Sequence, residues 1–169
     1  MTILSDELRA KLFQQLSRHE DIRLSAYQDS KSFWTIGIGH CIDSRITFDP
    51  EMERVYRAGP ITIEDAKTLF ELDLDNVIRA LDRNIPWWQY LPEIQKRILI
   101  DMCFNLGIGN LLHFHKFLMA LYDGDNITAA KEMENSDWYN EVGDRSRRLK
   151  LWMISGVETW DKRFSTTSI

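Results

Sequence analysis

Two carboxylic acids near the amino terminus have types and surroundings that suit acid–base chemistry. Glu20 follows a predicted helix, and Asp29 stands nine residues later at the start of a polar turn. Because the two acids lie on different structural elements, their surroundings can differ, and one acid can keep its proton while the other stays ionised. Cleavage of a glycosidic bond requires such a pair. Because the chain has 26 Asp and Glu residues, and charged residues are mostly solvated surface, the pair alone does not distinguish a site from surface acids.

A helix and a hairpin must position these acids. Ser5 is the predicted N-cap of a helix that ends near residue 18 or 19. Residues 23–40 then predict a β-hairpin with its turn at 29–32, because strand-forming residues lie on both sides of a polar break. Thr35 lies on the returning strand, which puts a hydroxyl near Asp29, although an ordinary strand threonine is the alternative.

The rest of the chain predicts mostly helices. Residues 41–61 read as a loop with a short helix that begins at Asp49-Pro50 and ends at Gly59-Pro60. Thr62 and Asp65 predict a capping box for a long helix that ends near residue 83. Further helices are predicted from Pro92 to Gly107, near 111–121, near 127–134, and from Arg145 with Asp144 as its cap.

Together these elements predict an α+β fold that is predominantly α-helical. We expect residues 1–169 to form a single domain with a small β-hairpin lobe at about 20–65 and an interlobe helix at about 62–83. A larger helical lobe is expected at about 84–169, together with the first helix at 5–18.

Composition narrows the functional classes. The formal net charge of −5 disfavours a nucleic-acid-binding protein. The two cysteines, Cys41 and Cys103, form no CxxC pair and are expected to be reduced thiols. No cofactor or metal is expected, since His113 and His115 on a helix would point to different faces. No apolar stretch suits a membrane span or an export signal.

The segment EDIRLSAYQDSKSFWTIGIGH, from Glu20 to His40, resembles the active-site region of bacteriophage lysozymes of the T-even type. That family has Glu, eight residues, Asp, five residues and then Thr, which opens the string TIGIGH. The resemblance continues at 63–70, 102–107 and 138–148. It implies a lysozyme-like two-lobe fold and a glycoside hydrolase that acts on peptidoglycan.

The resemblance also implies a role for each matching residue. Glu20 would be the general acid, while Asp29 and Thr35 would hold and activate the attacking water. His40 and Asp73 would form a buried, structural ion pair. The residues implied at the sugar groove are Phe104, Phe117, Glu132, Trp138 and Arg145, and the last of these would pair with Glu20.

Three positions depart from the family pattern. Asp21 follows the general acid where the family usually has Gly. Glu132 stands where a neutral amide is usual, and Phe117 where a small hydroxyl residue is common. These departures leave the details of sugar binding open.

The implied function is that of a muramidase which lyses the bacterial host of a phage. Its partner would be bacterial peptidoglycan, with no nucleic acid and no stable membrane insertion, and the protein would be a monomer. It would be made in the host cytoplasm and would act in the periplasm after the membrane is permeabilised. A lytic transglycosylase and a catalytically inactive wall-binding or virion module are the alternatives. The presence of Asp29 and Thr35 favours hydrolysis.

Overall fold

The computed structural model describes residues 2–29, 32–42 and 58–160. It is mainly helical with one small antiparallel sheet, which confirms the predicted α+β class. The chain divides into two compact units, of which one is Ile3–Asn76 and the other begins at Val77 and includes Thr2. The first helix belongs to the unit that contains the sheet, whereas we expected it together with the later helices. The lobe boundaries stay a prediction.

The first unit contains the hairpin and the helices around it. Its elements are α1 (Asp6–Glu20), β1 (Arg23–Gln28), β2 (Trp34–Gly37), β3 (His40–Cys41) and the first part of α2 (Ile63–Asn84). The sheet order is β1-β2-β3. Ser5 caps α1 as predicted, because its hydroxyl accepts a hydrogen bond from the Leu8 N–H at 3.2 Å.

The hairpin of β1 and β2 forms where the sequence predicted it. Tyr27 lies opposite Thr35 in the antiparallel ladder. Farther along, Arg23 lies opposite Gly37, so four steps on β1 correspond to two steps on β2. The extra residues form an irregularity of the β-bulge kind, which bends the strand and redirects its side chains.

An apolar cluster holds the sheet against α2. Its buried members are Ile36, Ile42, Ile61, Ala66 and Leu69, with Leu24, Ala26 and Trp34 packed against them. Helix α1 is joined to α2 by the edge-to-face contact of Phe13 with Phe70, whose ring centroids are 5.3 Å apart. An ion pair between Arg9 and Asp75 at 2.7 Å adds to that contact.

Helix α2 begins with the predicted capping box. The N–H and hydroxyl of Thr62 donate to the Asp65 carboxylate at 2.9 and 2.7 Å, and the Asp65 N–H donates back to the Thr62 hydroxyl at 3.1 Å. The side-chain and backbone hydrogen bonds from Thr62 lower the pKa of Asp65. These local bonds satisfy N–H groups that a helix start otherwise leaves unpaired.

The second unit is helical throughout its described part. After the end of α2 come a 3-10 helix (Pro86–Tyr90), α3 (Glu93–Leu106), α4 (Ile108–Leu111), α5 (His115–Tyr122), α6 (Asn126–Glu134), α7 (Asp137–Glu141) and α8 (Asp144–Ser155). Eight residues of α3, including the run Arg97–Cys103, are buried, so this helix is the centre of the unit. Neither Cys41 nor Cys103 is in a disulfide, and burial raises the pKa of the Cys103 thiol to about 12.

Two predicted helices differ from the structure: α4 and α5 take the place of one helix near 111–121, and the last helix begins one residue earlier than predicted. Gly107 ends α3 as expected, but Asp144 is the first residue of α8 and Gly143 holds the cap position. Asp144 is still useful at the helix start, where its carboxylate pairs with Arg147 at 3.1 Å. The helix predicted to begin at Asp49-Pro50 lies outside the described residues. No described helix is long and apolar enough to cross a membrane.

The sequence-predicted partners His40 and Asp73 lie next to each other. His40 Nδ1 is 2.9 Å from Asp73 Oδ2, with 7% and 20% of the two side chains exposed. Since β3 carries His40 and α2 carries Asp73, this contact attaches the edge of the sheet to the long helix.

Replacing His40 with Ala should therefore destabilise the protein. We expect a loss of about 2–3 kcal/mol in the free energy of unfolding, since Asp73 would lose its buried partner while keeping some contact with water. Thermal unfolding would measure it, with His113→Ala as the control at an exposed histidine. Equal melting temperatures of wild type and His40→Ala would contradict this role.

Candidate active site

Glu20 is the last residue of α1, and the backbone reverses directly after it. Asp21 has φ 60° and ψ 163°, a region of backbone space that is essentially restricted to glycine. The reversal lets the chain enter β1 two residues later. The family pattern usually has Gly at this position, and the backbone conformation here is one that glycine adopts without strain. Asp21 adopts the same conformation at a cost in backbone strain.

The turn between β2 and β3 lies beside the Glu20 side chain. Gly39 has φ +72°, and a Cβ built there would be 3.5 Å from the Glu20 carboxyl carbon and 3.6 Å from its Oε2. A side chain at position 39 would therefore touch the carboxyl group, and the glycine leaves that space open beside the half-buried acid.

Asp29 closes the hairpin turn that carries it. Its N–H donates to the Phe33 carbonyl at 2.9 Å, and its carboxylate Oδ1 accepts from the Phe33 N–H at 2.9 Å. The Asp29 carbonyl also accepts from the Ser32 N–H at 2.9 Å. A carboxylate has about four acceptor sites, so the bond to Phe33 orients the group without using up its capacity to accept from a water.

Thr35 is buried on β2, with 4% of its surface exposed. Its hydroxyl donates to the Phe33 carbonyl at 3.2 Å. Because the proton is used in that bond, the oxygen keeps its lone pairs for accepting a hydrogen bond. Asp29 and Thr35 are thus both attached to Phe33, which relates their positions through one residue.

The phenol of Tyr27 lies near several charged side chains of this region. Burial raises the pKa of the Tyr27 phenol, and the guanidinium of Arg23 opposes that shift. The carboxylates of Glu20, Asp29 and Asp21 act in the same direction as burial. Both proposed catalytic acids therefore lie close enough to influence the same hydroxyl, and Thr35 lies opposite Tyr27 on the next strand.

The predicted residues of the second unit form a separate set of contacts. Arg145 Nε donates to the buried Asp101 carboxylate at 2.7 Å, and Arg145 Nη2 donates to the Asp101 carbonyl at 3.3 Å. A pairing of Arg145 with Glu20 would join the two units and stays a prediction. Trp138 Nε1 donates to Asn105 Oδ1 at 2.8 Å.

Two of the residues that the resemblance implies at the sugar groove are almost fully buried. Phe117 is 1% exposed and Trp138 is 3% exposed, and both rings pack edge-on against Phe114. Burial of this kind fits support of a groove from below, the role that the resemblance implies for Trp138, and the groove roles of both residues stay predictions. Phe104 and Glu132 are half-buried, and their implied roles stay predictions.

Sequence reasoning missed three features of this region. The nearness of Gly39 to Glu20 and the stacking of Arg23 on Tyr27 depend on how the chain bends. The Asp101 partner of Arg145 lies 44 residues away in the chain, and no local pattern indicates it. For Tyr27 a signal existed, because it lies two residues before Asp29 and residues at that spacing share a strand face. The described residues contain no cluster of three or more His, Cys, Asp or Glu side chains that could hold a metal ion.

Comparison with known proteins agrees with these observations. The model of the phage lysozyme family matches residues 17–151. The chain belongs to the phage lysozyme family. The match contains the end of α1 and the whole hairpin, which carry Glu20, Asp29 and Thr35.

Individual relatives within the phage lysozyme family differ in length. The chain is 30% identical over 165 residues to the pre-baseplate central spike protein Gp5 of Enterobacteria phage T4, covering 89% of this chain and 29% of Gp5. It is 29% identical over 164 residues to probable T4-type lysozyme 1 of Dictyostelium discoideum, covering 85% and 91%. Probable T4-type lysozyme 2 of the same organism is 26% identical, covering 89% and 95%. The family and the T4-type relatives support a lysozyme activity.

The strained residue beside Glu20 yields a test that the usual glycine of phage lysozymes suggests. Asp21→Gly should raise the free energy of unfolding by about 1 kcal/mol, because relief of the backbone strain exceeds the entropy lost by a glycine. Asp21→Asn removes the charge but keeps the Cβ, so its thermal stability should stay near that of wild type. If Asp21→Asn stabilises the protein as much as Asp21→Gly does, the stabilisation comes from loss of repulsion between neighbouring carboxylates and not from relief of backbone strain.

Proposed function

We propose that the chain is a muramidase, which hydrolyses the β-1,4 bond between N-acetylmuramic acid and N-acetylglucosamine in bacterial peptidoglycan. Family membership supports the reaction class. The observation that carries the finer assignment is the shared anchoring of Asp29 and Thr35 on Phe33. That arrangement suits the holding of one water molecule beside a sugar.

In the proposed reaction Glu20 supplies the proton that the leaving sugar needs. It protonates the glycosidic oxygen as the bond from that oxygen to the anomeric carbon breaks. Positive charge then develops on the anomeric carbon and the ring oxygen. A proton donor must lie within hydrogen-bond reach of the oxygen it protonates, and the glycine at position 39 leaves the space beside the Glu20 carboxyl group free of a side chain.

Asp29 and Thr35 would act on the water. A water that donates one hydrogen to the Asp29 carboxylate and the other to the Thr35 oxygen points a lone pair at the anomeric carbon. Asp29 takes the water proton as the new carbon–oxygen bond forms, and the product is a reducing sugar. A carboxylate that acted as the direct nucleophile would not need this helper, so the proposal predicts inversion of the anomeric configuration.

The biological role is a finer proposal still. We place the enzyme in host lysis by a bacteriophage, made in the host cytoplasm and acting on the periplasmic wall as a monomer after the membrane is permeabilised. The alternative of a lytic transglycosylase predicts anhydro-muramic ends on the product. Hydrolysis predicts reducing ends, so chemical analysis of digested walls separates the two.

Glu20→Gln tests the assignment directly. The variant should fold normally and clear suspensions of purified cell walls about 10²–10⁴-fold more slowly than wild type, because the glutamine cannot donate the proton. Asp21→Asn is the matched control, since it neutralises the adjacent acid, and it should stay within about fivefold of wild type. Clearing by Glu20→Gln at a rate within a few fold of wild type would rule out the acid role.

A further inference from the structure

One cation of the first unit is held in an unusual way beside the site. Arg23 is exposed, and its guanidinium carbon lies 4.2 Å from the centroid of the Tyr27 ring. Among the described residues, Arg23 makes no ion pair with an acid. Its five N–H donors are therefore held over a ring while remaining available to a ligand.

The bulge in β1 accounts for this placement. Residues four apart on a regular strand are about 13 Å apart, too far for such close stacking when side chains stand upright from the sheet. The ladder places four steps from Arg23 to Tyr27 opposite two steps of β2. The strand is therefore shortened and twisted there, and bulges of this kind redirect side chains next to functional sites.

The surroundings of Arg23 are otherwise acidic. Tyr27 lies within the influence of Glu20, Asp21 and Asp29 as well as of Arg23. The whole chain carries a formal net charge of −5, which by itself repels an anionic polymer. A cation held at the site is what would favour an anionic substrate locally.

We propose that Arg23, held by Tyr27, is a specificity-determining residue that binds a carboxylate on the lactyl side of N-acetylmuramic acid. This inference rests on the proposed function, since it concerns which groups of the glycan the same site recognises. The carboxylate is either one carried by the peptide attached to the lactyl group or, on a muramic acid without a peptide, that of the lactyl group itself. Attachment of the peptide converts the lactyl carboxylate into an amide, so the two sources do not occur on the same sugar. A guanidinium offers two parallel N–H donors to a carboxylate, and stacking on Tyr27 reduces the motion lost on binding.

The binding test uses the Glu20→Gln background, so that the glycan survives the measurement. Three proteins are compared: the single variant Glu20→Gln, the double variant that adds Arg23→Gln, and the double variant that adds Lys116→Gln. The last is the control, since it removes one exposed positive charge from the second unit. The probes are intact peptidoglycan, glycan strands freed of their peptides by an amidase, and chitin, which lacks the lactyl group. Circular dichroism establishes that each protein is folded.

Arg23→Gln should weaken binding to at least one of the two muramic acid-containing probes by about three- to tenfold, between the effect of an exposed ion pair and that of a charge-assisted bond. Chitin binding should change by less than about twofold, and Lys116→Gln should leave both unchanged. Weakening on peptide-free strands alone assigns the contact to the lactyl carboxylate, which the amidase sets free, and weakening on both probes means that Arg23 binds either carboxylate. Weakening on intact peptidoglycan alone assigns it to the peptide.

Two further variants separate recognition from structure. Arg23→Lys should recover part of the lost binding, because it keeps the charge without the planar fork. Tyr27→Leu should resemble Arg23→Gln, since the guanidinium loses its support, whereas Tyr27→Phe should keep the stacking and the binding. Equal weakening of Arg23→Gln on chitin, or no weakening on either muramic acid-containing probe, overturns the proposal. Absence of reducing ends from wild-type digests would instead overturn the proposed reaction and leave these binding ratios intact.

Discussion

The site depends on the hydrogen bonds by which Asp29 closes its own turn. Its N–H and its carboxylate both bind the backbone of Phe33, so the group proposed to do chemistry also holds the two strands together. That closure sets the register in which Tyr27 lies opposite Thr35. A one-residue slip would move every side chain of the strand to the other face of the sheet, and Thr35 would no longer share a partner with Asp29.

The same short segment concentrates features that oppose folding. Three carboxylates lie around one tyrosine, and Asp21 occupies backbone space suited to glycine. Such strain persists where surrounding structure overdetermines it. Here the surrounding structure is the buried cluster under the sheet, together with the contact of His40 with Asp73 on the long helix. Stability supplied by the core and by α2 thus offsets the cost of a crowded, pre-arranged site.

Local signals made much of the fold predictable. The Ser5 cap and the Thr62–Asp65 box are hydrogen bonds between residues three apart, so their pattern is visible in the sequence. The candidate acids followed from a spacing that resembles a known family. Packing between residues far apart in the chain could not be predicted from local patterns. The partner of Arg145 is an acid on another helix, and the bulge in β1 has no sequence pattern of its own. The near-complete burial of Phe117 and Trp138 depends in the same way on packing, here against Phe114, and was not predicted.

In the proposed reaction Asp29 acts through a water held with Thr35 and forms no bond to the sugar. The most direct test is to follow wild-type digestion of a soluble peptidoglycan oligosaccharide by proton NMR, before mutarotation mixes the anomers. Because the substrate bond is β, direct attack by the water predicts an α-anomer as the first product. A β-anomer as the first product would contradict the account, since it requires two displacements and a covalent sugar–enzyme intermediate.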